Sequence, residues 1–249
     1  MFWSVQMRPV IVTAATPREL SLLVSALEGK ERFQVGYRDA YRGEVEGRPV
    51  ILAVTGIGKV NTAVVVTALL ERIEPELLIN TGCAGAFRGS GLAVGDLAIA
   101  TTEVLGDEGV LALDGWHSLD LIGIPAVERN GESYFNRFPL TRWAVDKAVH
   151  VARMAGVSLH HGTFVTVSTT SGTLERGEEL CRRFGGICEN MEGGAAAQVA
   201  MLYGVDCMEV RGVSNIVEDR DPASWDIPFA VAKAQEFVAR FVGALCQTD

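Results

Sequence analysis

Short apolar runs alternate along the chain with longer segments in which apolar positions recur every three or four residues. The runs Val10–Ala14, Pro49–Val54, Leu77–Asn80, Leu97–Thr101, Phe164–Val167 and Cys207–Gly212 read as strands. Their near-continuous hydrophobicity is that of strands covered on both faces. Thr16–Leu27, Asn61–Arg72, Thr141–Ala155, Asn190–Tyr203 and Pro228–Val242 carry the helical period. Gly156 and Gly204 stand just beyond two of these helices, where left-handed backbone suits glycine. Strands alternating with helices predict an α/β fold with a parallel or mixed sheet. The even spread of apolar segments favours one domain over 1–249. Asp107–Phe138 fits neither period and gathers Trp116, Tyr134, Phe135 and Phe138 among glycines and prolines, so it reads as a lid or insertion. Residues 1–7 precede the first regular pattern and read as a disordered or non-native extension, with Met7 as an alternative start.

Composition removes several function classes. The net charge of −9 is scattered, with no basic stripe to meet a phosphate backbone, so no nucleic acid is expected as a partner. No segment approaches the ~18 apolar residues of a membrane span, and the N-terminus lacks a signal-peptide pattern. A cytoplasmic protein without a membrane partner is expected. The five cysteines are odd in number and form no CxxC pair, so neither a disulfide framework nor a zinc site is suggested. The adjacent His160 and His161 lack a second ligand pair and read as structural or surface residues.

Two glycine-rich segments follow apolar strands. TGIGKVNTA, Thr55–Ala63, fits a turn whose bare N–H groups meet an anion or polar ligand, or simply a tight turn; it lacks dinucleotide and Walker spacing. TGCAGAF, Thr81–Phe87, reads as a second such turn, and two turns at strand carboxyl ends predict one crevice. Glu19 in TPRE fits a capping box behind Thr16 and Pro17, and Glu192 in NMEGG fits a helix start where the dipole favours a carboxylate. Each also lies in a strand-to-helix connection, and Arg211–Asn215 follows another strand, so the three segments together read as one site. Asn215 alone also fits a turn residue at a strand end.

In that order, TGIGKV, NTGCAGA, GLAVGDLAIA, NMEG and RGVSN resemble the purine nucleoside phosphorylase/nucleosidase superfamily, from Val10 to the final helix. ENMEGGAA, EVRGVSNIVEDRD and the lid EGVLALDGWHSLDLIGIP are similar to its futalosine hydrolase branch. The resemblance implies a three-layer α/β/α sandwich with a central mixed sheet, a homo-oligomer (dimer or larger), a small-molecule nucleoside substrate, and neither metal nor cofactor. It implies catalytic roles for Glu19, which orients and deprotonates water, Glu192, which grips the ribose hydroxyls, and Asn215, which touches N7 of the base. Met191 lies under the sugar; Cys83, Ala84 and Gly85 belong to the binding turn; Arg211 and Ser214 position the Asn215 loop; Trp116 covers the substrate's aromatic arm. Hexameric phosphorylases carry an arginine where this chain has Asn80, so water is favoured over phosphate, although Arg18 keeps phosphorolysis open. The implied reaction is hydrolysis of futalosine to dehypoxanthine futalosine and hypoxanthine in menaquinone biosynthesis. Alternatives are a phosphorylase of 6-oxopurine nucleosides, a methylthioadenosine/S-adenosylhomocysteine-type nucleosidase, and a non-catalytic nucleoside-binding protein.

Overall fold

In the computed structural model, which describes residues 7–246, the apolar runs form the middle of a ten-stranded mixed sheet. Apart from Met7, the expected N-terminal extension lies outside the described residues. The strands in chain order are β1 (Val10–Ala14), β2 (Glu28–Val35), β3 (Arg38–Val45), β4 (Arg48–Val54), β5 (Leu77–Phe87), β6 (Leu97–Leu105), β7 (Val110–Ala112), β8 (Gly115–His117), β9 (Val127–Arg129), β10 (Glu132–Tyr134), β11 (Arg137–Pro139), β12 (Leu159–Thr166), β13 (Gly186–Asn190) and β14 (Cys207–Val217). The main sheet runs β11-β6-β12-β13-β5-β1-β4-β3-β2, and β14 pairs with both β5 and β6. That double pairing closes β5, β13, β12, β6 and β14 into a ring, and the carboxyl ends of β5 and β14 come to lie together within it.

The helices are α1 (Ser21–Ala26), α2 (Lys59–Leu70), α3 (Arg142–Met154), α4 (Leu174–Phe184), α5 (Gly193–Tyr203) and α6 (Ile227–Ala244). α1 and α3 pack on α6, while α2 packs on α5, giving helical layers on either side of the sheet. This is the three-layer mixed α/β arrangement that the sequence implies. β1 is buried at all its positions between parallel β4 and β5, as its unbroken apolar run requires. Each fully buried side chain such as Leu69, Phe164 or Phe241 contributes about 1.5–3 kcal/mol to this core. Gly156 and Gly204 have φ of +67° and +73°, the left-handed geometry expected beyond α3 and α5.

Several boundaries differ from the sequence reading. TGCAGAF is no turn: β5 continues through it to Phe87, because β13 and β14 supply hydrogen-bonding partners on both sides. Arg211–Asn215 likewise lies inside β14, which runs to Val217 along β5. α5 begins at Gly193, so Asn190–Glu192 is the end of β13 and a connection. Thr16–Leu27 divides into a 3-10 turn, Pro17–Leu20, and the short α1. The hairpin β2–β3, with β13 and α4, escaped notice. β2 is exposed over most of its length and shows no apolar run. The segment expected as an irregular lid is built of the hairpins β7–β8 and β9–β10 and of β11, which pairs with β6.

Candidate active site

The strand ends meet around a cavity of about 370 Å³. Glu19 enters from the turn after β1, Cys83–Gly85 from β5, Met191 and Glu192 from the β13–α5 connection, and Arg211, Ser214 and Asn215 from β14. A larger open groove of about 850 Å³ between α3 and α6, lined by Lys147, His150, Glu236 and Arg240, offers no comparable convergence of buried polar groups.

One end of the cavity is charged and dry. Arg211 is almost fully buried: its Nε donates to Glu209 Oε1 at 2.7 Å, Nη2 to Asn80 Oδ1 at 2.6 Å, and Nη1 to the Cys83 carbonyl at 3.2 Å and Glu192 Oε2 at 3.3 Å. The other Glu192 oxygen accepts the Gly58 N–H at 2.9 Å, so the TGIGK turn supplies the polar contact that its glycines suggested, to a carboxylate of the chain itself. Burial raises the Glu192 pKa against the opposing pull of Arg211 and the Gly58 N–H. Burial favours the neutral guanidine of Arg211, but the surrounding Glu209, Glu192 and Glu19 outweigh it and hold Arg211 charged. Asn80, whose Nδ2 donates to Thr13 Oγ1 at 3.1 Å, is thus a partner of Arg211 rather than an anion contact.

Glu19 takes part in a helix cap and also reaches the cavity. Its Oε2 accepts from the Thr16 N–H at 2.9 Å and the Thr16 hydroxyl at 2.8 Å, as in a capping box. Its Oε1 accepts the Cys83 N–H at 3.2 Å and faces the cavity. A Cβ at residue 82 would press on both Glu19 Oε1 and Arg211 Nη1, so glycine there, at φ +150°, lets both charged groups approach the strand. Burial and Glu19 push the Cys83 thiol up to about 11, which leaves it neutral.

Beneath this layer lies a carboxyl pair. Glu103 and Glu209 are both fully buried, and a Cβ on Gly193 would collide with Glu103 Oε1 and Glu209 Oε2 alike. Glu103 accepts from Asn190 Nδ2 at 2.7 Å and from the Thr166 hydroxyl at 2.7 Å, whereas Glu209 Oε2 has no hydrogen-bond partner among the described residues. Burial and the neighbouring Glu209 raise the Glu103 pKa well above the usual carboxylate range, which favours Glu103 in its protonated form.

Residues 9–247 match the phosphorylase superfamily. The chain belongs to that superfamily. It is 30% identical over 242 residues to the 5'-methylthioadenosine/S-adenosylhomocysteine nucleosidase of Halalkalibacterium halodurans, covering 96% of this chain and 100% of that one. It is 34% identical over 203 residues to the futalosine hydrolase of Thermus thermophilus, covering 82% and 85%. The crystal structure of 5'-methylthioadenosine/S-adenosylhomocysteine nucleosidase from Neisseria meningitidis in complex with methylthio-immucillin-A superposes with a TM-score of 0.83 at 27% identity, covering 96% of this chain and 100% of that one. The activity is that of an N-ribosyl hydrolase, a nucleosidase, and small-molecule nucleoside binding follows from that kinship.

Nine of the ten site residues expected of this superfamily member line the one cavity; Trp116 does not. The correction has a packing cause. Trp116 stands edge-on to Phe184, ring centres 5.4 Å apart, with the Arg183 guanidinium 4.6 Å over its face, and lines a separate hollow with Tyr134 and Phe135. An aromatic surface at the nucleosidase cavity comes instead from Trp225, under the Arg220 guanidinium at 4.5 Å. Sequence reasoning also missed Glu189 and Ser171. Glu189 sits in the ENMEG motif, two residues before Met191, and its nearness was a usable signal.

Among the described residues no group of three or more His, Cys, Asp or Glu side chains is arranged to hold a metal ion, and no helix is long and apolar enough to cross a membrane. All five cysteines are free thiols.

Proposed function

We propose that the chain uses water to hydrolyse the N-glycosidic bond of a 6-oxopurine nucleoside, with futalosine as substrate and hypoxanthine as the released base. One observation carries the choice of base. Asn215 Oδ1 lies 2.8 Å from Ser214 Oγ, and Nδ2 donates one proton to the Ile216 carbonyl at 3.2 Å, which leaves its second N–H for the cavity. An amide donor suits the N7 and O6 acceptor edge of a 6-oxopurine, where a carboxylate would repel O6.

In this mechanism the C1′–N9 bond breaks with its electron pair moving onto the base, and the Asn215 N–H stabilises the resulting anion at its N7/O6 edge. The ribosyl carbon becomes cation-like beside Glu192, whose ionised carboxylate binds the ribose hydroxyls and favours the positive charge. Glu19 Oε1 orients a water, takes its proton, and the hydroxide oxygen bonds to C1′. Arg211 holds Glu192 in place from beneath. Trp225 and Arg220 at the cavity wall suit a ring-bearing, anionic substrate arm.

A second reading takes methylthioadenosine or S-adenosylhomocysteine as substrate. That name recurs among the relatives, so this reading has the broader support from kinship. The test is to incubate the protein with futalosine, inosine and methylthioadenosine, each with and without phosphate, and identify the base. Phosphate-independent release of hypoxanthine from futalosine is expected. Preferential release of adenine from methylthioadenosine selects the second reading, a requirement for phosphate selects a phosphorylase, and intact recovery of every nucleoside points to a binding protein. By family likeness we infer an oligomer of identical chains, which sedimentation equilibrium tests.

A further inference from the structure

β14 opens with CMEVRG, an apolar run interrupted by Glu209, whose side chain is almost fully buried. An apolar residue of similar volume would cost the fold less there, and the mechanism above gives this glutamate no part.

Glu209 and Asn80 are paired across β14 and β5, and Arg211 follows two residues later opposite Gly82, so the three side chains leave the same face of the sheet. The guanidinium is shared unequally between its neighbours. Nε donates to Glu209 Oε1 at 2.7 Å and Nη2 to Asn80 Oδ1 at 2.6 Å, the lengths of strong hydrogen bonds from a charged donor. The contact from Nη1 to Glu192 Oε2 is 3.3 Å, long for a charge-assisted bond. Yet Arg211 and Glu192 are both buried, where opposite charges attract most strongly. The guanidinium is therefore held on the sheet side of the site, and Glu209 is the charged group placed to hold it. Glu209 is itself backed. Gly193 leaves room for its Oε2 to meet Glu103, whose protonated form can donate to that otherwise unpartnered oxygen.

We propose that Glu209 is a positioning residue that holds the Arg211 guanidinium away from Glu192, so that Glu192 Oε2 stays available to a ribose hydroxyl. The proposal rests on the catalytic role given to Glu192 above and is independent of which base is released. Without Glu209, Arg211 moves onto Glu192 and forms a close ion pair at the atoms the sugar needs. A carboxylate neutralised at contact also stabilises the cation-like ribosyl carbon less.

The exchange shows in the acidity of Glu192. The charged groups facing it are Arg211 and Glu209 of β14 and Glu19 from the turn after β1, beside the neutral Cys83 thiol of β5. Removing Glu209 takes away a negative neighbour and tightens the contact to the positive one, and both changes lower the Glu192 pKa. Loss of a glutamate that merely supported the fold would loosen Arg211 and leave that pKa in place or raise it.

The experiment measures kcat/KM against pH for the wild type, Glu209→Leu and Glu209→Gln, on whichever of futalosine, inosine and methylthioadenosine the wild type cleaves fastest. Glu209→Leu should lower kcat/KM at its optimum by roughly 10-fold or more and move its acid limb down by about 1 pH unit. Glu209→Gln, whose amide oxygen has the same reach but no charge, should change both in the same direction by less. Wild-type kcat/KM in Glu209→Leu, or an acid limb that stays in place or moves up, overturns the proposal. Should Glu209→Leu not fold, Glu209→Gln decides alone, and an acid limb at or above the wild-type pH counts against the proposal. Glu192→Gln is measured beside them, and full activity there overturns the role of Glu192 itself, which is a separate failure.

Discussion

The two ends of the cavity are built on different principles. At the Arg211 end, Glu19, Glu192, Glu209 and Asn80 surround one fully buried guanidinium, with contacts of 2.6–3.3 Å from Arg211 to the last three. At the Asn215 end, amide and hydroxyl groups predominate and the one carboxylate, Glu189, is held by Ser171. The charged end suits a reaction that develops positive charge on a sugar carbon, where a fixed field acts over distance. The other end suits discrimination between bases, which depends on donors and acceptors placed atom by atom. Mutations at the first should remove rate, and mutations at the second should redirect it.

The largest effect is expected where rate is made. Glu192→Gln and Glu19→Gln should each lower kcat by roughly 100-fold or more in a folded protein. Glu19→Gln should also cost about 1 kcal/mol of stability, because the same side chain completes the capping box; circular dichroism melting beside steady-state kinetics separates the two. Full activity with a lowered Tm would reduce Glu19 to a helix cap. Because burial raises the Glu192 pKa and the ionised form is the active one, kcat/KM should fall as pH drops through a value above the usual glutamate range.

Intermediate in size, Asn215→Asp should shift preference from futalosine toward aminofutalosine by about 1–3 kcal/mol, roughly 10- to 100-fold. The new carboxylate either repels O6 or takes a proton at the expense of a raised pKa. If kcat/KM for the two substrates keeps its ratio, Asn215 does not read position 6 and the contrast between the two ends is lost. The smallest effect concerns the aromatics. Trp225→Ala should weaken futalosine more than inosine by roughly 5-fold, whereas Trp116→Ala should affect both equally and lower Tm, since its partners are Phe184 and Arg183. Discrimination lost in Trp116→Ala would return that residue to the site.

The buried half of the fold was legible because its strands are apolar on both faces and leave one interpretation. β2 and β3 were not: they are largely polar strands joined by a turn at Gly36–Tyr37, with φ of +53° and +63°, and their pairing is a backbone matter. TGCAGAF misled for the opposite reason, since its glycines serve close approach inside a strand. Trp116 could not be placed from sequence because its neighbour Phe184 belongs to a helix far along the chain. Glu189 was overlooked, although it stands in the ENMEG run, because its partner Ser171 belongs to a separate loop earlier in the chain.

The carboxyl pair of Glu103 and Glu209 makes folding a proton-uptake reaction. Once unfolded, Glu103 returns to an ordinary acidity, while the native chain retains its proton to far higher pH. Between those two values the native state binds more protons than the unfolded one, so stability contributed by Glu103 is complete at low pH and declines as pH rises through the window. Heat unfolding there releases a proton to the buffer. Its calorimetric enthalpy should therefore vary with the buffer's ionisation enthalpy, and Glu103→Gln should reduce that dependence by one proton's worth.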